Sequence, residues 1–334
     1  MDIGMTSGRE RQGKGGKRKT HRAALCLLAG LAGLAGLVIA PTAAQAGTGK
    51  LLLTGGVSSI TGAAGGGITP WAVIGSNAAE GEWGVSAFTS RAVTRDYALT
   101  STGAALGWNE RVELSLARQD FDAGAAVALN AIAPFGVQPG QHIRMDVLGL
   151  KVRVAGDAIL DADTWMPQIA IGLEHKRVRP GSLQPVFDFL GADTQSTDFY
   201  VSASKLLLDK GVLLNATLRS TRANQNGLLG FGSAAPGRNR RSLQPELSVA
   251  WLLRHNLAVG AEVRFMPDNL QATGRAAGLG NALREDAWKD LFIAWAPSKH
   301  LSLTLAWVDL GRIVPGITQG RRQSGAYLSA QVAF

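Results

Sequence analysis

The chain has 334 residues but only one cysteine, Cys26, and five histidines. A single cysteine forms no intrachain disulfide. It also falls in a stretch expected to be removed on export, so no thiol chemistry is expected of the mature protein. His21, His142, His175, His255 and His300 have no metal-ligand spacing such as H-x-x-x-H, and no cysteines can help them. No metal or cofactor is expected. The G-K-[ST] of a phosphate loop is missing. Beyond residue 46 no run reaches the roughly 18 uncharged apolar residues that a membrane helix needs.

What is present is apolar, glycine-rich and alternating. Hydrophobic residues make up 46% of the chain and glycines number 42. Mean hydropathy is slightly positive, +0.08. Residues 1–22 are basic, "AALCLLAGLAGLAGLVIA" is apolar and uncharged, and "PTAAQAG" supplies Ala44 and Ala46 for an A-x-A site. This is the pattern of a signal peptide over 1–46, cleaved after Ala46. A transmembrane anchor is the competing reading, and the cleavage site argues against it. The leader holds seven of the 34 Lys+Arg and two of the 25 Asp+Glu, which lowers the formal charge from +9 to +4. The basicity is therefore partly an export signal, and no nucleic-acid partner is expected.

The end of the chain, "YLSAQVAF", sets Ala326, Leu328, Ala330, Val332 and Phe334 on one face and Tyr327, Ser329, Gln331 and Ala333 on the other. A period of two is a strand with one apolar side. An aromatic at the end of such a strand resembles the closing strand of an outer-membrane barrel. In that class it also implies an assembly signal at Phe334, read by the barrel-assembly machinery. Alternating stretches recur at 82–91, 97–107, 110–120, 142–154, 165–177, 198–207, 211–221, 245–254, 258–266, 287–296 and 301–311. With the final strand there are about 12.

Connections at 107–110, 208–211, 254–256 and 297–300 are tight. Those at 121–141, 178–197, 222–243, 267–286 and 312–323 are long. Short turns on one side and long loops on the other belong to outer-membrane barrels. The link 155–164 fits this scheme least well. Trp83, Trp108, Trp165 and Trp295 fall near the short-turn ends and Trp288 and Trp307 near the long-loop ends, where aromatic girdles sit. The expected fold is all-β: a transmembrane antiparallel up-and-down β-barrel over 81–334, preceded by a glycine-rich segment over 47–80. That segment is either a lead-in or a plug in the lumen.

The segment 50–75, with its "PWAVIG", together with the aromatic terminus, resembles the bacterial family called domain of unknown function 3034. The resemblance implies an outer-membrane barrel and carries no assigned activity.

If the apolar parity faces lipid, the other faces the lumen. That places Glu113, Gln119, Lys151, Arg153, Glu174, Lys176, Asn215, Arg219, Glu246, Arg254, Glu262 and Arg264 inside. Pairs at i and i+2, such as Glu174/Lys176 and Glu262/Arg264, can bond along one strand. Two functions compete: the charges line a narrow channel or uptake path for small solutes, or they pair off within a structural or binding barrel. A lumen of about 12 strands is wider than the eight-stranded case that side chains fill. His175, on the apolar parity, is the one candidate for a barrel lipid hydrolase; the expectation is no enzyme.

The long connections carry arginine and no lysine. "GRNRR" and "GRR" place Arg238, Arg240, Arg241, Arg321 and Arg322 at the outer mouth. Guanidinium grips phosphate or carboxylate in two places. The expected partners are outer-membrane lipid and lipopolysaccharide phosphates, or small anionic solutes.

Overall fold

A computed structural model describes residues 52–53, 56–156 and 165–334. The expected leader, its cleavage site and most of the 155–164 link lie outside these residues. A two-stranded hairpin, β1 (Val57–Ser58) and β2 (Ala64–Gly65), comes first. Then follow β3 (Trp83–Val93), β4 (Ala98–Trp108), β5 (Val112–Asp122), β6 (His142–Ala155), β7 (Gln168–Arg179), β8 (Gln195–Leu207), β9 (Val212–Thr221), β10 (Ser242–Arg254), β11 (Leu257–Arg264), β12 (Trp288–Ser298), β13 (Leu301–Asp309) and β14 (Ser324–Ala333).

From β3 to β14 each strand pairs antiparallel with the next, and β14 returns to β3 from Ala326↔Val93 to Ala333↔Ser86. The result is the closed 12-strand barrel that the alternation predicts. Closure leaves no free sheet edge, which is what a sheet in lipid requires. Phe334 extends the seam: its N–H donates to the Val85 carbonyl at 2.8 Å and its carbonyl accepts from Val85 at 2.9 Å.

The alternation has a physical consequence on both faces. On β5, Glu113, Ser115, Ala117, Gln119 and Phe121 are buried, while Leu114 and Leu116 are exposed. Leu148, Ile171, Val201, Leu218, Val249, Ile293 and Leu305 continue the exposed apolar band around the wall. Water would penalise a band that far exceeds the few hundred Å² tolerated on soluble proteins, whereas lipid solvates it. At the short-turn end Trp83 and Trp108 stack with ring centroids 5.6 Å apart. Trp288 does not join a girdle. It takes the inward parity of β12, is 1% exposed, and donates from its ring N–H to Gln225 Oε1 at 3.0 Å.

The long loops fold back as a roof. They contain helices α1 (Gln184–Leu190) and α2 (Leu270–Ala276) and short 3-10 turns at 124–131, 181–183 and 224–227. Leu183, Phe187, Leu190, Leu228, Phe231, Leu270 and Ile313 are buried there.

Candidate functional site: the filled lumen and its roof

Residues 57–76 are all buried, and their contacts are with the inner wall. A backbone taken out of water needs partners for its N–H and C=O groups. The segment meets part of this need itself, through β1 and β2 and through bonds such as Ile60 N–H to Gly67 O at 3.0 Å and Trp71 N–H to Ala64 O at 3.1 Å, and the wall supplies further partners. Glu113 accepts from Ala64 N at 3.0 Å with one oxygen and from Gly75 N at 2.7 Å with the other. Glu262 accepts from Ile68 N at 2.8 Å and from the Thr69 hydroxyl.

The carbonyls are met by cations and neutral donors. Lys151 Nζ donates to Ala64 O at 2.8 Å and Trp71 O at 3.3 Å, and Arg264 donates to Ile68 O at 3.1 Å. Ser101 and Gln119 both donate to Ile60 O at 2.7 Å, and Thr217 to Pro70 O at 2.8 Å. Asn215 lies in the same layer, reaching Pro70 O at 3.4 Å.

The glycines make this approach possible. A Cβ on Gly66 would stand 2.0 Å from Glu262 Oε1, and one on Gly65 would stand 2.1 Å from Thr69 O. Beside Gly65, Trp71, Phe292 and Ala294 the space left between segment and wall is about 20 Å³. That holds about one water.

The wall charges also bond to one another. Glu174 meets Lys176 at 3.1 Å and Arg219 at 2.8 Å. Arg219 also meets Glu246 at 2.6 Å, and Lys176 meets Asp198 at 2.8 Å. Lys151 lies 3.1 Å from Glu113 across β5 and β6. Parity therefore places Glu113, Lys151, Glu174, Lys176, Arg219, Glu246, Glu262 and Arg264 inside, all buried.

One residue of that set lies elsewhere. Arg254 is exposed, because a register shift between Leu252 and Arg254 breaks the alternation at the strand end. Arg153 keeps the inward parity opposite the buried Ala170 and is half-buried near its strand end. One pairing also differs: Arg264 bonds Glu246 at 3.2 Å across β10 and β11, not Glu262 on its own strand. Glu262 is occupied by the glycine-rich segment. Asp198 and Asp290, missing from the sequence-based set, share the inward parity of Tyr200 and Phe292 and are buried. Both lie within the alternating stretches 198–207 and 287–296, so strand parity alone is the signal that finds them.

At the mouth the arginines divide into two groups. Arg321 pairs with Asp96 at 2.8 Å and Arg322 with Asp309 at 2.5 Å, while Arg312 meets Asp286 at 2.7 Å. The Arg321 hydrogen bond holds the Asp96 carboxyl below its ordinary range, and Arg312 does the same for Asp286. Arg238, Arg240 and Arg241 are exposed. The Arg241 guanidinium lies 5.1 Å from the ring centre of Phe199, which faces outward. Beneath the roof Glu285 accepts from Gln225 N at 2.8 Å. Burial first, then the Asp268 charge, pushes its carboxyl up to about 8. His175 is on the outer wall with Nδ1 3.0 Å from Thr197 Oγ1. The Phe334 ring is half exposed and stacks on His300 with centroids 5.1 Å apart.

Comparison with known proteins gives a family and a fold. Residues 54–331 match the family described as protein of unknown function (DUF3034), and the chain belongs to it. No curated protein matches the sequence. Among solved structures the NanC porin is 6% identical, with a TM-score of 0.47, covering 74% of this chain and 98% of its own. The COG4313 outer membrane channel from Pseudomonas putida F1 is 11% identical, with a TM-score of 0.42 and coverage of 77% and 96%. Outer membrane phospholipase A from Escherichia coli is 9% identical, with a TM-score of 0.37 and coverage of 75% and 92%. At these identities the likeness is one of barrel fold.

Proposed function

We propose that this DUF3034 protein is an outer-membrane uptake barrel for small solutes, closed at rest by its own residues 57–78. One observation carries the reading: at the level of Glu113 and Glu262 the lumen is filled by a separate segment, in addition to the barrel's own side chains. Twelve strands enclose more space than inward side chains fill. The occupant is held by hydrogen bonds from wall side chains to its backbone, bonds that water or an arriving solute can replace. An interior filled permanently would more economically be apolar, since buried charge pairs add little net stability.

The reading is non-enzymatic. Hydrolysis at His175 would need an activated serine beside it, and the hydroxyl at its ring nitrogen belongs to Thr197.

The test is conductance in planar bilayers. Full-length protein should give small, infrequent steps, and protein lacking 57–78 should give larger, sustained ones. The deleted form is first checked for the heat-dependent mobility of a folded barrel. No steps from a folded, deleted barrel would leave a non-conducting structural barrel.

A lipopolysaccharide-binding role is the second reading, favoured by Arg241 lying over a lipid-facing ring. Replacing Arg238, Arg240 and Arg241 with Gln should reduce lipopolysaccharide co-purification. Arg321 and Arg322 already hold carboxylates, so their replacement should matter less. If the arginines draw anions instead, the triple change should shift reversal potential towards cations and leave co-purification unchanged.

A further inference from the structure

The roof contains a cavity of about 390 Å³ whose lining is apolar but for one tyrosine hydroxyl, and includes Phe121, Ile143, Phe187, Leu229, Leu270 and Ile313. This is within the ~300–1,000 Å³ of small-molecule sites. The one lining hydroxyl, on Tyr97, donates to the Ile313 carbonyl at 3.4 Å. The edge of Phe135 against Phe189, centroids 5.9 Å apart, forms part of the wall. Around the opening, Ile132 is 61% and Phe189 52% exposed.

We infer that this cavity is a binding site for an uncharged hydrophobic molecule, a hydrocarbon chain or aromatic ring system. An apolar cavity offers water no partners, while an apolar ligand removes both the lining and the exposed rim from water. A charged head group finds no counter-ion in the lining, and the nearby Arg312 and Arg321 already hold Asp286 and Asp96. The apolar surface also continues inward. Ile143 is part of the cavity, and Met145 and Val147, the next inward residues of β6, are fully buried below it. Val147 stands opposite Lys176, where the charged layer begins. The site is therefore an apolar antechamber above a polar, filled lumen. It stands on the cavity alone and does not require that the barrel conduct.

The experiment uses full-length protein in lipid nanodiscs with a neutral alkyl diazirine, followed by peptide mapping after irradiation. Adducts are expected within 121–135, 183–190 and 277–283, displaced by excess dodecane. The double substitution Ala133→Trp with Ala277→Trp, which fills the cavity from its edge, should cut those adducts at least tenfold. Labelling of the lipid-facing strands should not change, and it serves as the internal control for folding. A phospholipid with a diazirine in its acyl chain distinguishes the source. Cavity adducts from it identify a membrane lipid tail, and adducts from the free alkane alone identify a diffusing hydrophobe. Adducts from neither probe, or adducts indifferent to the tryptophans, would overturn the site. Stronger labelling by an alkyl carboxylate diazirine than by the neutral probe would overturn its preference for uncharged ligands.

Discussion

Gly66 is where the fit between segment and wall is tightest, because its missing side chain is the space that the Glu262 carboxylate occupies. Gly66→Val should therefore push the segment off the wall while leaving the strands intact. Chymotrypsin should then cut after Trp71, which is 4% exposed in the native fold. Cleavage at least tenfold faster than in the unchanged protein is expected, and equal resistance would mean that the contact does not hold the segment. The sequence makes the side of each charged residue legible but not its partner. Alternation is local, so Glu113 and Glu262 read as inward from their own strands. Their bonds to Ala64 and Ile68 span 49 and 194 residues of sequence, and no local pattern encodes them. The same limit hides the Arg264–Glu246 bond between strands behind the Glu262/Arg264 pair that one strand allows. Alternation alone places Arg254 inward because a bulge leaves no mark in it.

Among the elements, strands were readable and the roof was not. A strand of ten residues repeats its period five times, and the short turns fix where each repeat restarts. Helices α1 and α2 have seven residues each, barely two turns, and the first has proline in its opening turn. Such segments show too little periodicity to stand out from loop. Their packing over the mouth, and the cavity beneath, come from contacts between loops. The roof also carries a titration. The Glu285 carboxyl has an ordinary value of 4.5 and is pushed to about 8 by burial and by Asp268. The folded form thus binds the proton more tightly than the unfolded form. Its contribution is fully present below pH 4.5 and is lost as pH rises through about 8. Limited proteolysis of the 267–287 loop should accelerate between pH 7 and pH 9. In Glu285→Gln, which keeps the acceptor for Gln225 N, that acceleration should disappear. A loop equally resistant at both pH values in the unchanged protein would contradict the assignment.

For the whole molecule, the closed barrel and its apolar band place the wall in lipid, and an outer-membrane location accounts for the leader-like start and the sorting of loops by length. The protein should run faster on gels unheated than boiled, as a folded barrel does. Phe334 closes the seam through its backbone and stacks on His300 through its ring, so Phe334→Asp puts a charge at both. This variant should be exported normally and yield a several-fold smaller heat-modifiable fraction. An unchanged fraction would mean that the ring takes no part in assembly.

If residues 57–78 seal the lumen, as proposed, a thiol placed on them is shielded from reagents in water. In a Cys26→Ala background, Ala72→Cys places one thiol where the native side chain is fully buried, and Arg240→Cys places one on the exposed loop. With a membrane-impermeant maleimide applied to protein in bilayers open on both sides, Arg240→Cys should label within minutes. Ala72→Cys should remain unlabelled until the barrel is heated or Gly66→Val is added. If Ala72→Cys labels as fast as Arg240→Cys in the folded protein, the segment does not seal the lumen.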